Sequence, residues 1–558
     1  MTAPGFRDTD TPGPDEFLFL PLGGTGEIGM NLNLYGHDEK WLMVDCGITF
    51  GDERTPGIDV IMPDPAFIEE RIEDLCGLVL THAHEDHLGA VQYLWPKLKC
   101  PIYATPFTAA VLRRKLTEVD FGRKVEIIEV PMSGTFDVGP FNIELITLTH
   151  SIPEPNALAI RTSAGVVLHT GDWKLDPDPQ VGPTTDEARL IAIGEEGVMA
   201  MVCDSTNSLN SGRSGSEGDV RKNLVDVVRD CQGGVAIACF ASNVARLESA
   251  AKAAIACGRQ PALAGRSLWR MNECARECGY LQDLPPFLND EAASRLPAEK
   301  VLWICTGSQG EPRAALARIA RGDHQNIKLG QGDTVIFSSR EIPGNEVSIG
   351  ELQNSLTELG CTIITANDAE IHASGHPNRD ELADMYSWIR PQVAVPVHGE
   401  HRHLLAHARL AQSCQVPHGI VAQNGMLMSL TNNGAEVIDQ VYSGRLAVDG
   451  DRLIPMDHGS IRQRKRLAQN GAAVVSIALD KSGRLADEAQ LTLAGLLDSD
   501  GPEWDDLLDL AEETVENLSK AQLKDDGQVV EAVRIALRRK LQAMTRRRPQ
   551  VDVHLLRV

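Results

Sequence analysis

Residues 81–89 read Thr-His-Ala-His-Glu-Asp-His-Leu-Gly, and they continue the short apolar run that starts at Leu78. Leu78 to Thr81 has the length and character of a buried strand, and Leu88 to Trp95 reads as a helix. The strand therefore ends in a turn that carries His82, His84, Asp86 and His87. Carboxyl ends of strands are where α/β sheets present their sites. His82 and His84 are one residue apart and can point the same way from an extended loop, while Asp86 and His87 reach a second position just beyond. Imidazole and carboxylate together suit zinc, and two ions about 3.5–4 Å apart need such a set with a group able to bridge them. Packing alone gives no reason for four ligand-type side chains in six residues.

Working outward, three more strand ends offer the same chemistry. His150 follows the strand Ile143 to Thr147, Asp172 follows Val166 to Thr170, and His398 follows Val393 to Val397. Singly, each reads as a core or capping residue. Together they fit one dinuclear centre on one sheet edge, with Asp172 as the natural bridge. Further strands are read at Leu18 to Leu22, Trp41 to Asp45, Ile102 to Ala104 and Val125 to Val130, with a helix at Phe107 to Leu116. Gly24, Gly26 and Gly29 spell GxGxxG, but strands rather than an amphipathic helix follow, so a dinucleotide site is not supported.

From Asn207 to about Cys361 the stretches GGVAIACFA, KVLWICTG and DTVIFSS each precede a helical pattern, as in a parallel-sheet domain of its own. A further strand is read at Thr362 to Ala366. The polar stretch 450–466 reads as a linker. Beyond it, Ala472 to Leu479 is a strand, and Trp504 to Leu518 and Val529 to Met544 carry apolar residues at helical spacing.

At 558 residues the chain is long enough for several lobes. Its net charge of −25 argues against non-specific nucleic-acid binding by the surface as a whole, while leaving room for a local basic groove. The charge is uneven: Asp498 to Glu516 has carboxylates and no Lys or Arg, whereas Arg534 to Arg548 is basic with no acid. The 12 cysteines show no paired spacing and read as reduced core thiols. No apolar run reaches the ~18 residues of a membrane span, and the acidic, proline-rich N-terminus is unlike a secretory signal, so the expectation is a cytoplasmic protein without membrane partners.

The order His-x-His-x-Asp-His, His150, Asp172, His398 resembles the metallo-β-lactamase fold. Between Asp172 and His398 lie Asp-Ser-Thr-Asn from Asp204 and Ile-His-Ala-Ser-Gly-His from Ile371, which with Pro-Val-His-Gly-Glu resemble the motifs of the β-CASP nucleases. FASN (Phe240 to Asn243), TGSQGEP (Thr306 to Pro312) and IPGNE (Ile342 to Glu346) narrow the resemblance to the ribonuclease J family, although the last two also read as ordinary Gly/Pro turns.

The resemblance implies an α/β fold: a metallo-β-lactamase αββα sandwich with an inserted α/β β-CASP domain and a small C-terminal α/β domain. The expected boundaries are an N-terminal tail at 1–16, the sandwich at 17–206 and 363–449, the insertion at 207–362, the linker at 450–466 and the last domain at 467–558. One zinc would be held by His82, His84, His150 and Asp172, and the other by Asp86, His87, Asp172 and His398, with manganese or magnesium able to stand in. His376 matches a histidine that assists proton transfer, and Asp204 the acid associated with it. His372, Ala373, Ser374, Gly375 and His376 match substrate-binding positions, as do Ser242, Asn243 and Val244. Phe50 reads either as a ring that stacks a base or as packing.

The activity so implied is hydrolysis of single-stranded RNA in its maturation and decay, 5′-to-3′ from 5′-monophosphate ends and also internally. Partners would be a second copy or three, in a homodimer or homotetramer, and RNA-degradation proteins. Three rivals are weighed against this, and a non-catalytic RNA-binding or scaffold subunit is opposed by the complete set of ligand-type residues and His376. A β-CASP nuclease acting on DNA commonly lacks the histidine at the position of His398, and a small-molecule metallo-hydrolase has no use for an insertion of this size.

Overall fold

The computed structural model of the protein describes residues 11–497 and 501–558. Positions 1–10 of the expected N-terminal tail lie outside the described residues, as do 498–500 at the start of the acidic stretch. The chain divides into two compact units: residues up to Thr49 with Met62–Gly444, and Phe50–Ile61 with Arg445–Val558.

Two mixed sheets build most of the first unit. One has eight strands in the order Gly434–Gln440, Met426–Thr431, Phe17–Gly23, Leu32–His37, Lys40–Val44, Leu75–Val79, Ile102–Ala104, Ile127–Glu129. The other has seven, Thr135–Val138, Phe141–Thr147, Asn156–Thr162, Gly165–His169, Ala200–Asp204, Val393–Val397, His418–Gly419. Successive side chains of a strand face opposite ways, and here both faces are apolar. Phe19, Tyr35, Leu42 and Val79 of the first sheet share a core with Ile143, Leu158, Val167, Val202 and Val395 of the second. The alternate residues Ala157, Leu168, Met201 and Ala394 pack instead against Leu190, Ile193, Met385 and Ile389 on two outer helices, Glu187–Glu196 and Arg379–Ile389. On the first sheet, Trp41 meets the ring of Phe67 in the helix Ala66–Glu69 edge-on at 5.3 Å between centroids. Each such fully buried side chain contributes roughly 1.5–3 kcal/mol. The result is the αββα sandwich that the sequence implied.

The insertion is a five-stranded parallel sheet in the order Gln260–Ala264, Val301–Cys305, Val235–Ala238, Thr334–Phe337, Thr362–Ile364. Its last strand corrects the expected boundary at 362/363: Thr362 to Ile364 pair in register with Thr334 to Ile336, so the insertion runs past that point.

In the second unit, Gln490–Ala494, Ala472–Leu479 and Gln550–Arg557 form a sheet whose buried face, with Val475, Ile477 and Val551, packs on the helices Pro502–Glu516 and Asp526–Thr545. The stretch 450–466 is not a linker. It holds the strand Arg452–Pro455, paired with Arg445–Asp449, and the first part of the helix Gly459–Asn470. Its polarity has a local cause: most of the helix is solvent-facing, only Ile461 is buried, and Arg464 pairs with Asp449 at 2.7 Å. All 12 cysteines are free. Among the described residues no helix is long and apolar enough to cross a membrane.

Candidate metal centre

The strand Leu75–Val79 runs into Thr81 and His82, and a short helix starts at Glu85 with His84, still extended at φ −74° and ψ 153°, in the capping position. The helix thus begins earlier than the sequence pattern indicated, and it turns Asp86 and His87 back toward the histidines before them. The neighbouring Asp45-Cys46-Gly47 segment passes this turn so closely that a Cβ on Gly47 would lie 1.7 Å from the Asp86 carbonyl oxygen. Only glycine fits there. In the second sheet Gly165–His169, Ala200–Asp204 and Val393–Val397 are adjacent parallel strands. Their carboxyl ends therefore set Asp172, Asp204 and His398 side by side.

Three groups of side chains result, each with ligand atoms within 4.8 Å of one another: His82, His84, His150 and Asp172; Asp86, His87, Asp172 and His398; and Asp172, Asp204, His376 and His398. Asp172 belongs to all three. Its Oδ2 lies 3.2 Å from His87 Nε2, 3.5 Å from His398 Nε2, and 3.9 Å from both His82 Nε2 and His150 Nε2. Asp86 Oδ2 is 3.6 Å from the same nitrogens of His87 and His398.

The rings are held from behind. His87 Nδ1 donates to Asp45 Oδ2 at 2.7 Å, His398 Nδ1 to Asn31 Oδ1 at 3.0 Å, and His150 Nδ1 to the Gly375 carbonyl. His82 Nδ1 pairs with the Thr81 hydroxyl at 3.0 Å. Each of these four rings thus turns its Nε2 toward Asp172, the arrangement by which outer partners fix the tautomer of metal-binding imidazoles.

Two observations test whether a metal suits this set. His84 Nδ1 lies 3.1 Å from His82 Nε2 and 3.0 Å from His150 Nε2, three ring nitrogens converging on one point. The buried Oδ1 of Asp172 has no hydrogen-bond partner, and buried polar atoms are normally satisfied. A cation among these atoms answers both, and nitrogen with carboxylate oxygen is a zinc-type donor set.

Electrostatics favour neutral rings at His82, His84 and His150, whereas at His87 burial is outweighed by the carboxylates of Asp172, Asp86 and Asp45, which push the imidazole well above the ordinary range. Burial, followed by the charges of neighbouring imidazoles, pushes His82 and His150 well below the ordinary histidine range. Burial takes His84 down to about 4, against the opposing pull of Asp86 and Asp172. These rings are therefore neutral and their lone pairs free for a ligand bond. Burial would raise Asp172, but His398, His87 and His376 outweigh it and keep the carboxyl well below the usual range. His376 is pulled down by burial and pushed up more strongly by Asp204 and Asp172, to about 9. Its Nδ1 donates to Asp204 Oδ2 at 2.8 Å.

The loop that carries His376 is pinned at several points. Asn207 Nδ2 donates to the Ser374 hydroxyl at 2.7 Å and to the His376 carbonyl at 3.1 Å. Ser338 Oγ donates to the Ile371 carbonyl at 2.6 Å, and Arg246 Nη1 reaches the same oxygen at 3.2 Å. A Cβ on Gly375 would meet the ring of His150 at 2.7 Å, so glycine lets the loop lie against a candidate ligand. His372 Nδ1 is buried without a partner, and burial, then the charges of Arg246, Lys174 and Arg340, bring this imidazole down to about 3.

The remaining expected substrate contacts fare differently. Asn243 spends its side chain capping the helix Val244–Ala256, with Oδ1 accepting from the Arg246 N–H at 2.8 Å. Val244 is fully buried at the start of that helix, and its N–H donates to the Ser242 carbonyl at 2.9 Å. Ala373 is likewise buried, leaving Ser374 as the hydroxyl of the loop. Ser242 is half-buried. Phe50 belongs to the second unit and is 66% exposed, so it is not core packing.

Asp45 and Asn31 were not among the residues read from the sequence. Asp45 Oδ1 accepts from the Thr81 N–H at 2.9 Å while its other oxygen holds His87. Its φ of +63° and the +52° of His398 are left-handed values rare for such residues. Held strain of this kind concentrates at functional sites. The one sequence signal was Asp-Cys-Gly at the end of the strand beside the histidine turn. Asp45→Ala is expected to weaken metal binding by roughly 10–100-fold, as loss of an outer partner usually does. Competition against a chelator of known affinity measures it, and unchanged retention would show that His87 needs no support.

Four family models match the chain. They are "Metallo-beta-lactamase superfamily" over residues 29–188, "Ribonuclease J, beta-CASP domain" over 232–356, "Zn-dependent metallo-hydrolase RNA specificity domain" over 368–418 and "Ribonuclease J C-terminal domain" over 459–558. The chain is 44% identical over 556 residues to Ribonuclease J of Sinorhizobium meliloti, covering 98% of each. It is 39% identical to Ribonuclease J of Mycolicibacterium smegmatis, covering 96% of this chain and 97% of the relative. Among solved structures, a protein of unknown function from Enterococcus faecalis superposes with a TM-score of 0.54 at 17% identity, covering 74% of this chain and all of that one, a likeness of fold alone.

Proposed function

The chain belongs to the ribonuclease J family, and from that premise we propose that this metal-dependent hydrolase is a zinc ribonuclease cleaving single-stranded RNA 5′-to-3′ from monophosphorylated ends and also internally. The observation that carries the reading is the pair of four-residue groups sharing Asp172, with the hydrogen-bonded pair His376 and Asp204 against them. His82, His84, His150 and Asp172 would hold one ion, and Asp86, His87, Asp172 and His398 the other. When bound, such a pair lowers the pKa of a water toward about 7 and offsets phosphate charge.

The chain's own residues supply the rest. Ser374 and the backbone of Gly375 hold the scissile phosphate from the loop pinned by Asn207, with His372 beside them. Water attacks phosphorus and gives up one proton to solvent, the bond from phosphorus to the 3′-oxygen breaks, and that oxygen takes its proton from His376, which solvent then reprotonates. Asp204, bonded to Nδ1, fixes the ring so that Nε2 delivers it. No ribose hydroxyl takes part, so the products carry a 5′-phosphate and a 3′-hydroxyl.

Digestion of one RNA, 5′-labelled with either a mono- or a triphosphate end, tests the reading. The monophosphate substrate is expected to lose its label as a mononucleotide before longer products form, and the triphosphate substrate to release internal fragments only. Equal release of the terminal nucleotide from both would contradict it.

The last domain contains none of these groups, and its acidic and basic helices suit a self-complementary interface between copies, giving a homodimer or homotetramer. Removing residues 459–558 is expected to lower the oligomeric state in size exclusion with light scattering. An unchanged assembly would reject that role.

A further inference from the structure

Arg246, Lys174 and Arg340 all act electrostatically on His372, and two of these cations are committed. Arg246 is fully buried against Glu217, Nη2 to Oε1 at 2.9 Å, and Lys174 is fully buried against Asp176 at 2.8 Å. The third, Arg340, is exposed and has no carboxylate partner among the described residues. Among the described residues its side chain makes one hydrogen bond, a long one from Nη1 to Asn207 Oδ1 at 3.4 Å, while its backbone carbonyl accepts from Gln309 Nε2 at 2.9 Å.

Its place is set by the fold. Arg340 follows the parallel strand Thr334–Phe337 by three residues, and Ser338 between them is tied to the Ile371 carbonyl. Asn207, which Arg340 contacts, donates through its other end to Ser374 and His376. His376 Nδ1 is in turn 3.8 Å from Asp172 Oδ2. The guanidinium therefore stands beside the loop assigned to the scissile phosphate, one side chain removed from it, while its planar fork of donors is free for an anion. The buried Nδ1 of His372, without a partner, leaves a polar atom in the same loop for a ligand to meet.

We propose that Arg340 is a specificity-determining contact, binding a backbone phosphate next to the scissile one and so favouring a polynucleotide over a substrate with a single phosphodiester. The proposal rests on the ribonuclease reading above. Phosphate contacts of this kind position a strand without reading its bases, so the effect should be independent of sequence.

The test compares the wild type, Arg340→Gln and Arg340→Lys on a 5′-monophosphorylated oligoribonucleotide and on bis(p-nitrophenyl) phosphate, which has one phosphodiester, across a salt series. Arg340→Gln is expected to raise KM for RNA about tenfold relative to KM for the small diester, with kcat on RNA changed less than about twofold. The dependence of log KM on log salt should flatten by about 0.7, the share of one phosphate on a single strand. Arg340→Lys, a point charge without the fork, should recover the salt slope but only part of the KM. An unchanged ratio of the two KM values, or a fall in kcat alone, would overturn the assignment. A wild type that hydrolyses the small diester but leaves RNA intact would overturn the ribonuclease reading and this inference with it.

Discussion

Asp172→Ala is expected to remove both bound metal and activity, lowering RNA cleavage by roughly 10³-fold or more, since water without a metal has a pKa near 15.7 rather than about 7. The expectation follows from the position of one carboxylate. Asp172 Oδ2 lies within 3.9 Å of His82, His87, His150, His376 and His398, and no other side chain belongs to all three groups. Burial would favour its neutral form, yet the surrounding imidazoles keep it ionised. Removing it leaves those rings without their common negative charge, so the defect should reach both candidate sites at once. Metal analysis and single-turnover cleavage on the same preparation check this. A variant that keeps two ions or cleaves at the wild-type rate would exclude Asp172 as the shared ligand. Thermal melting of the metal-free wild type and variant separates this effect from misfolding.

His376→Ala is expected to slow the chemical step by roughly 10²–10⁴, the usual worth of a positioned acid or base, while metal content stays near that of the wild type. The ring comes from a loop rather than from a strand end, and its Nδ1 is already engaged by Asp204 at 2.8 Å, with Asp172 Oδ2 farther off at 3.8 Å. The carboxylates on either side hold it protonated to about pH 9, the form a leaving oxygen needs. Asp204→Asn should act in the same direction through the ring's orientation. Rapid-quench kinetics at saturating RNA measure the step itself. An unchanged rate would remove His376 from proton transfer and leave it a binding role at most.

Much of the centre was legible because its chemistry sits at strand ends whose flanking residues are strongly apolar. His82 to His87 stand after Leu78 to Leu80, and His398 after Val393 to Val397, so a short pattern marked both the strand and the ligand. The supporting residues were not legible in that way. Asn31 and Asp45 meet His398 and His87 across 367 and 42 positions of sequence, and nothing around them marks a partner at such a distance. Asn243 and Val244 show how one short polar turn carries two readings: it matches a substrate motif and it also starts a helix, with Asn243 Oδ1 accepting from the Arg246 N–H. The helix Gly459–Asn470 was hidden because it buries little, and polarity without periodicity reads as a linker. The grouping of Phe50–Ile61 with residues from Arg445 onward could not be read from local pattern, since it depends on pairings far apart in sequence.

The most direct test of the central claim is a metal titration of the full-length wild type. The protein is stripped with a chelator, zinc is returned stepwise, and bound metal and cleavage of a 5′-monophosphorylated RNA are measured on each sample. The stripped protein is expected to show no cleavage, and activity to rise with bound zinc and level off at two ions per chain. Cleavage at the full rate by protein shown to be free of metal would contradict that claim.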